Sequence, residues 1–144
     1  MNESTEAPRA LPWRPLAEAL TRLYGLPSWS FKEFAFWQLP GDPAVYMAVA
    51  GAEPPASREA LLNTGWAVLT ASLPEGRPTL DLLGVIGPDA NRNVIELDAA
   101  GAAEFLFRDA RFQVPADADA PVLVVRHGRR VLGGWERETG RPLR

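Results

Sequence analysis

The chain has 144 residues and a formal net charge of −3, with 15 Lys and Arg against 18 Asp and Glu, a single His and no Cys. That length suits one large domain or two small ones sharing a core, and the lack of cysteine excludes a disulfide framework, a thiol nucleophile and a thiolate metal site. No apolar run approaches the ~18 residues of a membrane span, and slight net acidity argues against indiscriminate binding to nucleic acid.

Residues 1–12 show no apolar period and read as a loose polar tail, unlike a signal peptide; with the absent cysteines this fits a cytoplasmic protein. Pro15 suits the first turn of a helix, and Leu16, Leu20, Leu23 and Tyr24 then recur at helical spacing before Gly25 and Pro27 end it. The aromatic run from Phe31 to Leu39, the turn Pro40-Gly41-Asp42-Pro43 and the run from Ala44 to Val49 predict a hairpin. A helix over 30–38 is the rival, because Ser30 is a capping residue. Ser57 is placed to cap a short helix over 58–62, and 65–73 reads as a strand ending at the turn 74–77. Thr79 to Ile86 is apolar and ambiguous: Leu80, Leu82 and Leu83 are compatible with a strand that passes into a helical turn before Gly87-Pro88.

The polar stretch Asp89 to Asn93 is a candidate boundary between two units, 13–90 and 93–144. Val94 to Leu97 predicts a short strand. Asp98 caps a helix over 99–107 whose buried stripe is Ala102, Phe105 and Leu106. Arg111 to Val114 predicts a weak strand and 115–121 a loop. Val122 to Val125 and Val131-Leu132, around His127-Gly128-Arg129-Arg130, predict a β-hairpin, with Gly133-Gly134 marking a bulge or corner.

Catalytic patterns are scarce. His127 lies beside a turn with no orienting partner in view. Asp117 and Asp119 are too few for a cation loop and read as solvated acids. There is no phosphate-binding glycine loop, no dinucleotide fingerprint, no Gly-x-Ser-x-Gly and no His-Glu-x-x-His. These absences point to a non-catalytic protein without cofactor or metal. Charge, however, is uneven. Fourteen Arg and only one Lys make up the cations, and six of the Arg lie between 121 and 144 against Glu136 and Glu138, a local +4. Guanidinium groups pair with phosphate and stack on bases; a solvated rim is the other reading of the same charges.

The order Gly65, Arg77-Pro78-Thr79, Val94-Ile95-Glu96-Leu97-Asp98, Ala102-Ala103-Glu104-Phe105-Leu106, Val122-Leu123-Val124-Val125-Arg126-His127-Gly128 and Val131-Leu132-Gly133 resembles the PUA-type RNA-binding module. It is similar to the C-terminal region of RNA cytosine-5 methyltransferases of the Sun/RsmF kind, and to ribosome-biogenesis factors in which a pre-PUA α/β domain precedes a PUA barrel. The resemblance covers about 60–135, and no methyltransferase domain accompanies it. Where the family has a glycine soon after the helix, this chain has Phe107-Arg108-Asp109-Ala110.

The resemblance implies an α+β protein, a pre-PUA-like unit over 13–90 packed on a small PUA-like β-barrel over 93–144. It also implies a stand-alone binder of structured ribosomal or transfer RNA. The residues expected at phosphates are Arg108, Arg111, Arg129, Arg130, Arg137 and Arg141. A ribosomal protein or an RNA-modifying enzyme is an expected partner. A protein-interaction adaptor of the same fold, without RNA binding, is the alternative.

Overall fold

The computed structural model describes residues 7–27, 30–51, 53–108 and 111–144. They form a mixed α/β structure with two four-stranded sheets and four helices. Part of the expected tail is a strand: β1, Arg9–Leu11, pairs antiparallel with β2, Phe34–Gln38. Residues 1–6 lie outside the described residues.

Helix α1, Trp13–Tyr24, begins two residues before Pro15 and ends at Gly25, whose φ of 61° supplies the left-handed cap. Its buried face is Ala17, Leu20 and Tyr24, with Leu16 and Leu23 half-buried beside it. Burying a leucine such as Leu20 contributes about 1.5–3 kcal/mol. The hairpin prevails over the rival helix: β2 pairs antiparallel with β3, Val45–Val49, setting Phe36 against Met47 and Trp37 against Tyr46. Helix α2, Arg58–Thr64, is capped by Ser57, whose Oγ accepts the Ala60 N–H at 3.1 Å. Strand β4, Trp66–Leu69, completes the first sheet in the order β1-β2-β3-β4.

Helix α3, Leu80–Ile86, resolves the ambiguous apolar segment as helix, with Thr79 as its N-cap. Thr79 decides this. Its hydroxyl accepts the Leu82 N–H at 3.3 Å and donates to the Ala67 carbonyl at 2.6 Å, so it starts the helix while anchoring it to β4. A 3-10 turn over Gly87–Asp89 follows.

The second sheet has the order β5-β6-β7-β8: β5 is Val94–Glu96, β6 Val122–His127, β7 Arg130–Glu136 and β8 Arg141–Leu143. β5 and β6 are parallel, and helix α4, Ala99–Phe107, lies in the crossover between them. The remaining pairs are antiparallel, with a register shift beside Leu132, one residue before the glycine pair. The sheet is open; among the described residues these strands do not close into the expected barrel. Arg111 to Val114 is not a strand. Phe112 and Val114 instead pack on the second sheet with Phe105, Leu123, Val125 and Trp135. Within α4, Ala102 and Phe105 are buried as expected, but Leu106 is exposed.

One apolar core joins the sheets. Leu20 and Tyr24 of α1, Phe36 and Met47 of the first sheet, Leu82, Leu83 and Ile86 of α3, and Val122 and Val124 of β6 all belong to it. The packing is close: a Cβ on Gly87 would lie 2.5 Å from Val131 Cγ2 and 3.0 Å from Val124 Cγ1. No helix among the described residues is long and apolar enough to cross a membrane.

Candidate nucleic-acid interface

The second sheet sets the directions of the C-terminal arginines. Arg129 and Arg130 sit at the β6–β7 turn, where Gly128 takes a φ of 59°. Arg137 and Arg141 lie at the other end of β7, since Arg141 is the register partner of Glu136. Six residue steps along a strand separate these ends by about 20 Å. The six expected phosphate contacts therefore do not form one cluster.

Alternation along the strands divides them further. Val131 packs into the shared core, so Arg130 beside it points to the opposite side, the side that carries α4. Arg141 is next to Pro142, the register partner of Trp135; Trp135 belongs to the α4 side, so Arg141 points away from it. Arg108 caps the C-terminus of α4 and Arg111 follows it; both are exposed on the α4 layer.

Several arginines are structural. Arg126 has a side chain only 14% exposed; its Nη1 donates to the carbonyls of Gly87 and, at 2.7 Å, Ala90, and its Nε pairs with Glu96. It closes the end of α3 and the 3-10 turn, whose carbonyls lack helical partners. Arg129 pairs with Asp89 at 3.2 Å, and Arg137 Nε donates to the Ala120 carbonyl at 2.9 Å. Glu136 and Glu138, which offset the local positive charge in the sequence, are both met by Arg77 from the other half, at 3.0 and 3.4 Å. Among the described residues, the side chains of Arg108, Arg111, Arg130 and Arg141 make no ion pair or hydrogen bond.

Phe107, in the last turn of α4, is the residue that sequence reasoning missed. It is 81% exposed, more than any other large apolar side chain among the described residues. Arg108 follows it directly. Arg144 reaches the same turn, its Nη1 donating to the Leu106 carbonyl at 3.3 Å and its guanidinium lying 5.9 Å from the centre of the Phe105 ring. An exposed aromatic ring with a cation next to it in the chain is a surface on which unpaired bases can stack. The pattern was present in the sequence as Phe-Leu-Phe-Arg, but periodicity alone does not say which Phe faces out. Asp109 and Ala110, the rest of the departure from the family pattern, lie outside the described residues.

Two of the other polar residues singled out in the sequence, His127 and Asp119, make hydrogen bonds within the protein. His127 Nδ1 is 2.8 Å from the Leu97 carbonyl on the exposed rim. Asp117 is exposed. Asp119 is held between Asn93 and Arg92; hydrogen bonding from Asn93 is the main reason its carboxyl lies below the usual carboxylate range, with the Arg92 and Arg137 charges acting in the same direction. Among the described residues no group of three or more His, Asp or Glu is placed to hold a metal ion.

Comparison of the chain with protein-family models and with curated proteins gives no match.

Proposed function

We propose that the protein binds structured RNA through the α4 side of its second sheet, as a PUA-like recognition module without catalysis. The observation that carries this reading is Phe107, exposed at the end of α4 with Arg108 next to it in the chain. Arg111 and Arg130 extend the positive charge on the same side of the sheet. Arg129, Arg137 and Arg141 belong to other parts of the surface and are secondary in this reading. Recognition of folded RNA by backbone and by stacked loop bases needs positioned cations and one aromatic platform rather than a closed pocket.

The adaptor reading is favoured by the ion pairs of Arg129 and Arg77, which tie positive charge to the protein itself. Fluorescence anisotropy with labelled total transfer RNA and a ribosomal RNA stem-loop separates the two. RNA binding through Arg108, Arg111 and Arg130 gives a log K against log salt slope of about −2, at ~0.7 per contact. Phe107→Ala removes a stacking contact worth about 1–3 kcal/mol, roughly fivefold or more in affinity, while thermal stability stays at the wild-type value. Binding that ignores salt, or a Phe107→Ala variant with unchanged affinity, refutes the RNA reading in favour of the adaptor.

A further inference from the structure

A second feature lies away from α4. One side of α1 forms the wall of an open groove, because Pro12, Leu16, Ala19 and Leu23 recur at three- to four-residue spacing. The opposite wall is Val45, then the loop Ser72 to Pro74, then Pro121 at the start of β6. Two hollows of about 310 and 350 Å³ make up its length and share Ala19 and Leu73. The first is apolar throughout apart from Ser72. The second ends at Arg22, Arg92 and Asp119.

Charge at that end is already partly arranged. One Arg92 nitrogen donates to the Arg22 carbonyl at 2.9 Å and the other pairs with Asp119 at 3.2 Å. Asn93 satisfies the other Asp119 oxygen at 2.8 Å. The Arg22 guanidinium, in the last turn of α1, makes no ion pair or hydrogen bond among the described residues. The groove is thus apolar along most of its length with an uncompensated cation at one end.

We propose that this groove docks an extended segment of a partner protein, its apolar side chains lying against Leu16, Ala19 and Leu73 and an Asp, Glu or terminal carboxylate meeting Arg22. Twelve helical residues span about 18 Å, the reach of five or so extended residues. Pro12, Pro15, Pro74 and Pro121 fix the backbone of both rims, which lowers the ordering cost of binding. Bidentate pairing of guanidinium with carboxylate sets the direction of the segment. The groove is separate from the face proposed for RNA and contains none of the α4 residues.

The test is selection of a random 12-residue peptide library displayed on phage against the full chain, followed by anisotropy with the enriched peptide. The expected consensus is two or three apolar residues followed by an acid. Arg22→Glu, an exposed change that leaves the circular dichroism spectrum intact, is expected to weaken the peptide at least tenfold, as is replacing its acid by Lys. Total transfer RNA is expected not to displace it. An enriched peptide without the acid, no enrichment, or an affinity untouched by Arg22→Glu overturns the proposal. So does displacement by transfer RNA with weakened RNA binding in the same variant, which would make this end part of an RNA footprint.

Discussion

Tyr24 and Val122 are joined by a hydrogen bond that spans 98 positions of sequence: the phenol at the end of α1 donates to the β6 carbonyl at 2.7 Å. The ring itself is fully buried in the core that both sheets share. Tyr24→Phe keeps the ring and leaves the carbonyl without its phenol. Equilibrium urea unfolding is expected to show a loss of about 1–2 kcal/mol. Burial, reinforced by the Asp119 charge, pushes the phenol pKa far up. The unfolded chain ionises near pH ~10 while the folded chain holds the proton, so stability falls as pH rises above that value. Tyr24→Phe is expected to flatten this alkaline limb.

Asn93 bonds in four directions. Its Nδ2 donates to the Leu23 carbonyl at 2.7 Å and to Asp119 at 2.8 Å, and its Oδ1 accepts the N–H groups of Asp119 and Ala120 at 2.9 and 3.1 Å. Its φ of 57° is a conformation asparagine tolerates and alanine does not. Asn93→Ala is expected to cost about 2–3 kcal/mol. Asn93→Gly, which relieves the backbone but not the lost bonds, is expected to cost less.

The Asp119 carboxyl supplies a pH signature of that same junction. Its folded pKa is depressed, so its contribution to stability is complete above the unfolded value and is lost as pH falls through the folded one, below roughly pH 4. Carboxyl NMR titration of Asn93→Ala is expected to move the Asp119 midpoint upward. An unchanged midpoint would show that Arg92 and Arg137, not Asn93, set it.

Two arginine substitutions three positions apart are expected to behave in opposite ways. Arg126→Ala strands the carbonyls of Gly87 and Ala90 beneath β6 and is expected to cost about 2–4 kcal/mol. Arg129→Ala breaks only an exposed pair with Asp89 and is expected to stay within about 0.5 kcal/mol. Thermal melts of the two variants, run together, give the comparison directly.

Trp135 is 5% exposed and meets the Phe112 ring edge-on at 5.8 Å. Trp135→Ala is expected to cost about 3–5 kcal/mol in denaturant unfolding. A loss under 1 kcal/mol would mean that the α4 layer contributes little to the sheet.

The elements legible in the sequence were those whose periodicity matched a single burial face. The stripe Leu16, Leu20, Leu23, Tyr24 gave α1, and the capping residues Ser57 and Asp98 gave the starts of α2 and α4. Strand β1 was not legible because three residues are too short to display a period; its pairing with β2 makes it a strand. Arg111 to Val114 misled for the opposite reason. It alternates exposed and half-buried as a strand does, but it lies on the face of the second sheet rather than along an edge. The candidate interface was harder still. Adjacent numbers such as Arg129 and Arg130 suggested one patch, whereas strand alternation and a hydrogen bond decide where each guanidinium goes. Which phenylalanine of α4 stays wet depends on where that helix meets β6 and β7, and local sequence does not contain that angle.

Helix α3 lies between the sheets and contributes Leu82, Leu83 and Ile86 to the core they share. A chain severed near Asn91 would therefore yield two fragments with wide greasy faces, neither able to dissolve alone, and calorimetry of the intact protein would show a single endotherm. Transplanting the C-terminal sheet onto another host would require taking α3 along as its lining.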